Sequence, residues 1–505
     1  MPLARVHSGT CLGLEAVAVH IEVDVVKSEK PFIVIVGLPD TAVREAKDRV
    51  FTAIKNSGSD ISSLSCTINL APADLRKEGS LFDLPIAIGL LCGLGVIPKS
   101  AIDNLLIVGE LGLGGDTRQV VGALGFAHLA KSLGLKAILL PKANGQEAAL
   151  IPGVEVIAVA TLREAIQYLT GTIASPAVVP YSKKNSVQQK VSVDFSEIQG
   201  QVMARRAMEI VAAGGHNALL NGPPGTGKSM LAKALVGILP QMDFEEALEV
   251  TRIRSVAGLV GSDATLVADR PFRAPHHTVS YAGLIGGGSV PRPGELVLAH
   301  RGVLFLDEFP EFSRHVLEAL RQPLEERRLT ISRALGAVTY PCSTILVAAM
   351  NPCPCGYHGH PDKPCKDSKL QIERYQRKIS GPLLDRIDLH ISVGAVRSSE
   401  VALHREAESS AEIRKRVQMA RDRQYARFAA AKTNAEMSNK EIGSLVRLDP
   451  STKQLLDRAM DMFGLSLRAL FRVLKVAVTI HDLAGSDTVK EEHVLEALSY
   501  RESSI

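Results

Sequence analysis

Residues Asn217-Ala-Leu-Leu-Asn-Gly-Pro-Pro-Gly-Thr-Gly-Lys-Ser229 constrain this chain more than any other stretch. An apolar strand pattern runs into Gly222-Pro223-Pro224-Gly225-Thr226-Gly227-Lys228-Ser229 and then into a helical pattern. Glycines at these positions let successive backbone N–H groups curl around phosphates, and the helix N-terminus adds partial positive charge. In that geometry Lys228 reaches the β/γ-phosphates of ATP and Ser229 ligates Mg²⁺. A bare glycine turn would explain the loop alone, but not the strand before it and the helix after it.

The acid comes from a second strand, Gly302-Val-Leu-Phe-Leu-Asp-Glu308. Asp307 belongs in the Mg²⁺ shell, and Glu308 is placed to polarise an attacking water as general base. Two acids ending a strand are common, but following a phosphate loop they point to ATP hydrolysis. Ser343–Asn351 is a third apolar strand, ending in an amide that either orients the lytic water or simply suits a turn. Arg386 lies in the otherwise apolar segment Leu383–Asp388, and Arg468 and Arg472 stand four apart on a helical pattern. Salt bridging and stabilisation of a γ-phosphate are both open to these arginines.

Three blocks separate along the chain: residues 1–172, then 193–396 after a Ser/Pro/Val/Lys-rich linker at 173–192, then 397–505. In the first, strand patterns at Ala16–Val26, Phe32–Leu38, Leu105–Leu111, Ala137–Leu140 and Val154–Ala160 enclose helical patterns at Thr41–Asn56, Pro85–Leu94 and Val121–Leu133. The second alternates strand and helix, the signature of a parallel sheet. The third is helical: 399–433 reads as solvated on most faces, and Leu467, Leu470, Phe471, Leu474, Ala477 and Val478 form one buried stripe. The fold class expected is α/β, with a central parallel-sheet nucleotide domain and a C-terminal helical lid.

The order of these parts resembles the AAA+ ATPases, and within them the magnesium-chelatase-like branch, specifically the YifB/ComM family. The resemblance rests on Gly222–Ser229, Phe272-Arg-Ala-Pro-His-His-Thr278, Gly302–Phe309, Met350-Asn-Pro-Cys-Pro-Cys-Gly356, Ser380–Asp388 and Ser466–Leu483. It implies that Asn351 is sensor 1, Arg386 the finger reaching a neighbouring subunit's ATP, and Arg468 sensor 2 in the lid. Ala274–Leu298 is similar to the helix-2 insertion of this branch, and Glu326–Pro341, with Gly336 near its tip, to its hairpin before sensor 1. In ring ATPases such insertions line the pore, which makes Arg273, Arg292, Arg327, Arg328 and Arg333 candidates for DNA contact; solvated surface arginines are the alternative. The resemblance further implies a homo-oligomer, expected to be a hexamer. It also implies a helicase driving branch migration of recombination intermediates during DNA uptake. A chelatase motor subunit and a protein remodeller are the competing readings.

Residues 1–172 resemble the non-proteolytic Lon-like domain of the same family. Leu81 falls where that fold's serine nucleophile would stand, and Leu124 where its lysine would. With neither group there is no acyl chemistry to perform, although Ser80 lies one position away. The domain therefore reads as a binding or ring-assembly module.

Cys353, Cys355, His358, His360 and Cys365 offer three thiols and two imidazoles within thirteen residues. Four of the five suit tetrahedral Zn²⁺, and a reduced loop shaped by prolines is the alternative. Relatives carry a further cysteine where this chain has Asp367, so a three-Cys, one-His site is the expectation. His276 and His277, read as neighbours on a strand, point to opposite faces and make a poor shared ligand.

Residues 1–172 carry 15 Lys+Arg against 17 Asp+Glu, and the remainder 43 against 37, so only the second part leans towards a polyanion. Trp is absent and aromatic residues are 4%, which disfavours a base-stacking platform. Ile86–Ile97 is the longest apolar stretch and falls short of a membrane span. No signal peptide is evident and seven cysteines are too few for a disulfide scaffold, so a reducing, cytoplasmic setting is expected.

Overall fold

The unbroken apolar runs of residues 193–396 need a sheet covered on both faces, because such strands have no polar side to give to water. The computed structural model provides it. It describes residues 3–28, 32–59, 61, 64–75, 77, 79–178, 192–261, 266–288, 291–333, 336–360, 362–394, 408–446, 448–463 and 466–501. The chain divides into two compact units: 1–187, 244–267 and 331–339 form one, and the remainder the other. The expected linker falls largely on 179–191, outside the described residues.

The second unit carries the nucleotide loop. Its five-stranded sheet has the order Phe272–Arg273, Val303–Leu306, Ile345–Met350, Ala218–Asn221, Leu389–Ser392, every neighbouring pair parallel. Val303–Leu306 and Ile345–Met350 are buried at every position. Register places Asn221 beside Met350 and Ser392, and Leu306 beside Ala348. Three strands thus end on one edge, each followed by a segment singled out in the sequence: the glycine loop, Asp307-Glu308, and Asn351.

The lid shares this unit's core. Val473, Val476, Ala477 and Ile480 of the helix Leu467–Ala484 are buried in the same cluster as Ala218, Leu220 and Val347. The expected leucine stripe holds from Leu470 onward, whereas Leu467 is 66% exposed. The helix Ser410–Phe428 is less solvated than its composition suggests. It buries Ile413, Val417 and Ala420, and Arg421 and Gln424 donate to the carbonyls of Ala212 (2.9 Å) and Ala213 (3.0 Å). Those carbonyls end the helix Val202–Gly214, so two polar side chains satisfy groups that a helix terminus leaves open. Residues 399–407 lie outside the described residues.

The first unit is a seven-stranded mixed sheet in the order Ile33–Val36, Leu64–Ala71, Glu15–Lys27, Ala4–Leu12, Leu105–Ile107, Ala137–Pro141, Glu155–Val159. All eleven residues of the helix Asp83–Gly93 are buried. It rides close on the sheet because a Cβ at Gly89 would stand 2.7 Å from a Val23 methyl. Ala4–Leu12 and Leu64–Ala71 are strands without a strong signal in the sequence, since their apolar residues are broken by Ser, His, Thr and Asn. Ala177 bridges to Ile157, so the beginning of the expected linker extends the edge of this sheet.

Ser80 donates to Glu110, and Leu124 is buried among apolar side chains while Leu81 packs against the core. The segment 244–267 is joined to this unit through polar groups: Ser255 donates to the buried Glu147, and Gln119 Nε2 donates to the Val260 carbonyl (3.1 Å). Val338, near the end of the strand pair Arg328–Arg333 and Gly336–Pro341, lies where a Cβ on Gly13 would clash with it. Among the described residues, no helix is long and apolar enough to cross a membrane.

Candidate active site

The loop between Ala218–Asn221 and the helix Lys228–Ile238 is shaped by close approach at one end and by left-handed turns at the other. A Cβ on Gly222 would lie 2.1 Å from the Val393 carbonyl oxygen, so this position admits glycine alone. Gly225 and Gly227 adopt φ of 80° and 84° with open space around them, the left-handed conformation that glycine takes readily. Lys228 donates to the carbonyls of Gly222 (2.6 Å) and Pro223 (2.8 Å) and to Asn351 Oδ1 (3.2 Å). Burial lowers the pKa of this ammonium, and the charge of Asp307 opposes the shift.

Ser229 Oγ donates to Asp307 Oδ2 at 2.9 Å, so two hard oxygen donors already converge where Mg²⁺ is expected. Glu308 has a left-handed φ of 52° and its N–H donates to Asp307 Oδ1 (2.9 Å), a turn that separates the two neighbouring carboxylates. Glu308 Oε2 lies 2.9 Å from His277 Nδ1. The histidine pair departs from the expectation of opposite faces: the rings of His276 and His277 are 4.1 Å apart, because these residues follow the short strand Phe272–Arg273 rather than continue it. His277 is therefore a site residue that strand geometry in the sequence had set aside.

Lys228, Ser229, Asp307, Glu308 and Asn351 come together; Arg386 and Arg468 do not join them. Arg386 precedes the strand Leu389–Ser392, whose Leu389 is in register with Ala218. Its carbonyl accepts from Asn217 Nδ2 (3.1 Å), so it sits at the opposite edge of the sheet from Gly222, roughly 16 Å away by strand rise. There the buried guanidinium donates to the carbonyls of Arg321 (2.9 Å) and Pro382 (2.6 Å) and to Glu325 Oε2 (2.8 Å). Arg468 reaches the other oxygen of the same carboxylate, Glu325 Oε1, at 2.9 Å.

Arg472, one turn on, pairs with Asp388 Oδ1 (3.0 Å), and the other oxygen of Asp388 accepts from the Asn217 N–H (3.2 Å). Burial pushes the Asp388 carboxyl up, but His216, Arg472 and Arg501 outweigh it and hold it well below the usual range. Glu325 and Asp388 thus tie the segment around Arg386 to the helix Leu467–Ala484. Asp388 closes the Ser380–Asp388 motif, whereas Glu325 carries no signature in the sequence.

The arginines proposed for DNA divide. Arg273 is held by two bonds to Glu295 (2.5 and 2.6 Å), which neutralise it locally. Arg327 donates to the Thr344 carbonyl (3.3 Å), while Arg292 and Arg328 are exposed. The side chain of Arg333 lies outside the described residues. In the cysteine loop the structure gathers Cys353, Cys355 and Cys365 with Asp367, and not with either histidine. His360 Nδ1 instead accepts from the N–H groups of Asp362 (3.0 Å) and Lys363 (3.1 Å).

Comparison with known proteins gives the chain its relatives. Family models described as "Magnesium chelatase, subunit ChlI", "Subunit ChlI of Mg-chelatase" and "Magnesium chelatase, subunit ChlI C-terminal" match residues 194–401, 21–144 and 407–501. The uncharacterized protein YifB of Escherichia coli (strain K12) is 42% identical over 99% of this chain and 97% of its own length. Competence protein ComM of Haemophilus influenzae is 42% identical over 99% of this chain and 98% of its own. The chain belongs to the YifB/ComM family. The magnesium-chelatase 38 kDa subunit of Cereibacter sphaeroides is 28% identical over 31% of this chain and 52% of its own length. The likeness to YifB and ComM therefore spans every segment described above, and that to the chelatase subunit only part. The parallel sheet and helical C-terminus fit the magnesium-chelatase-like AAA+ fold of YifB/ComM proteins.

Proposed function

We propose that this protein is a ring-forming, Mg²⁺-dependent ATPase whose catalytic sites are each completed by a second copy, and that it uses turnover to move DNA. The observation that carries the reading is the split site. Lys228, Ser229, Asp307, Glu308 and Asn351 occupy one edge of the sheet, and Arg386 with Arg468 the opposite edge. Guanidinium groups so placed are out of reach of their own triphosphate; in a head-to-tail ring Arg386 would meet a neighbour's by exchanging its bonds to Arg321, Pro382 and Glu325.

Lys228 and the N–H groups of the glycine loop bind and orient the triphosphate, taking the place of the carbonyls that Lys228 now contacts. Ser229 and Asp307 would hold Mg²⁺, which when bound would neutralise charge at the phosphate oxygens. Glu308 accepts a proton from the attacking water, and Asn351 fixes that water's orientation. Arg386 of the adjoining copy adds positive charge where the transition state develops negative charge. Release of that arginine after hydrolysis couples chemistry to rotation between copies.

DNA as the moved polymer is supported by the name of the competence protein ComM and by the positive balance of residues 173–505. The exposed Arg292 and Arg328 add to that support. Branch migration of recombination intermediates in natural transformation is the specific activity proposed, with a hexamer as the working assembly. Strand exchange on a synthetic four-way junction tests it: ATP-dependent conversion is expected, with DNA affinity falling steeply as salt rises. Turnover that responds to a porphyrin or a protein, and not to single-stranded or branched DNA, would transfer the reading to a chelatase motor or a remodeller.

A further inference from the structure

The loop that follows Asn351 contains two ligand pairs of identical spacing, Cys353-Pro-Cys355 and Cys365-Lys-Asp367. The structure closes them on each other. Sγ of Cys353 lies 3.3 Å from that of Cys355 and 3.6 Å from that of Cys365, and the Cys355–Cys365 separation is also 3.6 Å. All three are free thiols. Asp367 Oδ2 stands 3.9 Å from Cys365 Sγ, and one ligand atom from each of the four residues falls within 4.8 Å of the others. Among the described residues this is the sole group of three or more His, Cys, Asp or Glu side chains so gathered.

These separations have a chemical meaning. Thiolates at about 2.3 Å from a tetrahedral ion lie about 3.8 Å from one another, close to what is seen. Sulfurs this near enclose a single ion rather than a multi-iron cluster, and three soft thiolates disfavour Mg²⁺ or Ca²⁺. The surrounding backbone is arranged to suit bound anions: the His358 N–H points at Cys353 Sγ (3.3 Å) and the Cys355 N–H at Asp367 Oδ2 (2.8 Å). Gly356 and Gly359, with φ of 83° and 74°, supply the reversals that bring the two pairs together.

We infer that Cys353, Cys355, Cys365 and Asp367 bind one zinc ion in a tetrahedral three-sulfur, one-oxygen site, and that neither His358 nor His360 is a ligand. The site is structural, since its four positions are filled by protein and leave none for water. Its location gives it a task. A Cβ on Gly356 would lie 2.8 Å from Pro224 Cδ and 3.9 Å from Asn351 Cγ, so the loop abuts both the phosphate loop and the strand-end amide. Pro352, between Asn351 and the first ligand, accepts from Gln376 Nε2 (3.3 Å). Zinc at this point braces Asn351 and Pro224 together; only this link to nucleotide rests on the ATPase reading.

The test is metal analysis of the full-length protein purified without chelator, made without nucleotide so that it stands apart from any ATPase result. One zinc per chain is expected, and the cobalt-substituted protein should show the intense visible bands of a tetrahedral thiolate site. Cys365→Ser and Asp367→Ala should weaken zinc binding by about tenfold or more, whereas Asp367→Cys, His358→Ala and His360→Ala keep it stoichiometric. Asp367→Cys also guards against misreading a folding defect, because it restores a ligand at the same position. A chain that stays zinc-free after dialysis against zinc would overturn the inference. Loss of zinc in His358→Ala or His360→Ala with retention in Asp367→Ala would overturn it equally.

Discussion

His277 Nδ1 stands 2.9 Å from Glu308 Oε2, so the carboxylate proposed as general base is held by a side chain from the 274–298 segment. While that contact lasts, Glu308 is aimed at His277 and not at a water beside the γ-phosphate. Moving nucleotide or polymer against the 274–298 segment would release it. His277→Ala should therefore raise basal ATP turnover by about 2–5-fold, the scale of a partly exposed polar contact, and blunt stimulation by DNA. Steady-state phosphate release with and without DNA reads both effects; unchanged turnover in both conditions would remove His277 from the account.

Glu308→Gln keeps the shape and removes the proposed base. ATP binding should persist while turnover falls by about 10²–10⁴-fold, the usual share of general base catalysis. Nucleotide titration paired with single-turnover hydrolysis separates the two. Normal turnover would place the base elsewhere.

Gly356→Ala tests the contact between the cysteine loop and the phosphate loop. Its φ of 83° is costly for alanine, and the new methyl would meet Pro224 Cδ at 2.8 Å. Nucleotide affinity should drop by about tenfold, equivalent to about 1.4 kcal/mol, as measured with a fluorescent ATP analogue. Gly359→Ala, where nothing lies within 4 Å of the added carbon, is the control.

The reach of the sequence can be judged from particular residues. Gly222–Ser229, Asp307-Glu308 and Asn351 were legible because each is a local pattern, a strand followed at once by the chemistry it presents. Parallel pairing then aligns those strand ends without further information. Glu325, Asp367 and His277 were not legible as a set, since each acquires meaning only from a residue distant in the chain or from an irregular turn. The same holds for Arg421 and Gln424, which read as solvated polar side chains until the carbonyls of Ala212 and Ala213 are seen beneath them. Packing of residues 244–267 with the first unit is likewise invisible in composition.

Stability should decline in mild acid. His390 is buried in the strand that follows Arg386; burial, with the charge of Arg501, lowers its pKa from 6.5 to about 4. The unfolded chain takes up that proton first, so its contribution is intact above pH 6.5 and is lost progressively as pH falls towards 4. The loss amounts to about 3 kcal/mol at most. Urea unfolding between pH 7 and pH 4.5 should show this slope, and His390→Leu should flatten it; identical slopes in the two proteins would exclude His390 as the cause.

The central claim is that Lys228 and Arg386 serve the same ATP from different copies. Lys228→Ala and Arg386→Ala should each abolish turnover alone. Mixed in equal amounts and allowed to assemble, they should regain activity, because roughly a quarter of the interfaces then join an intact Lys228 to an intact Arg386. If both variants assemble and the mixture is no more active than its parts, the site is not shared between copies and the account fails.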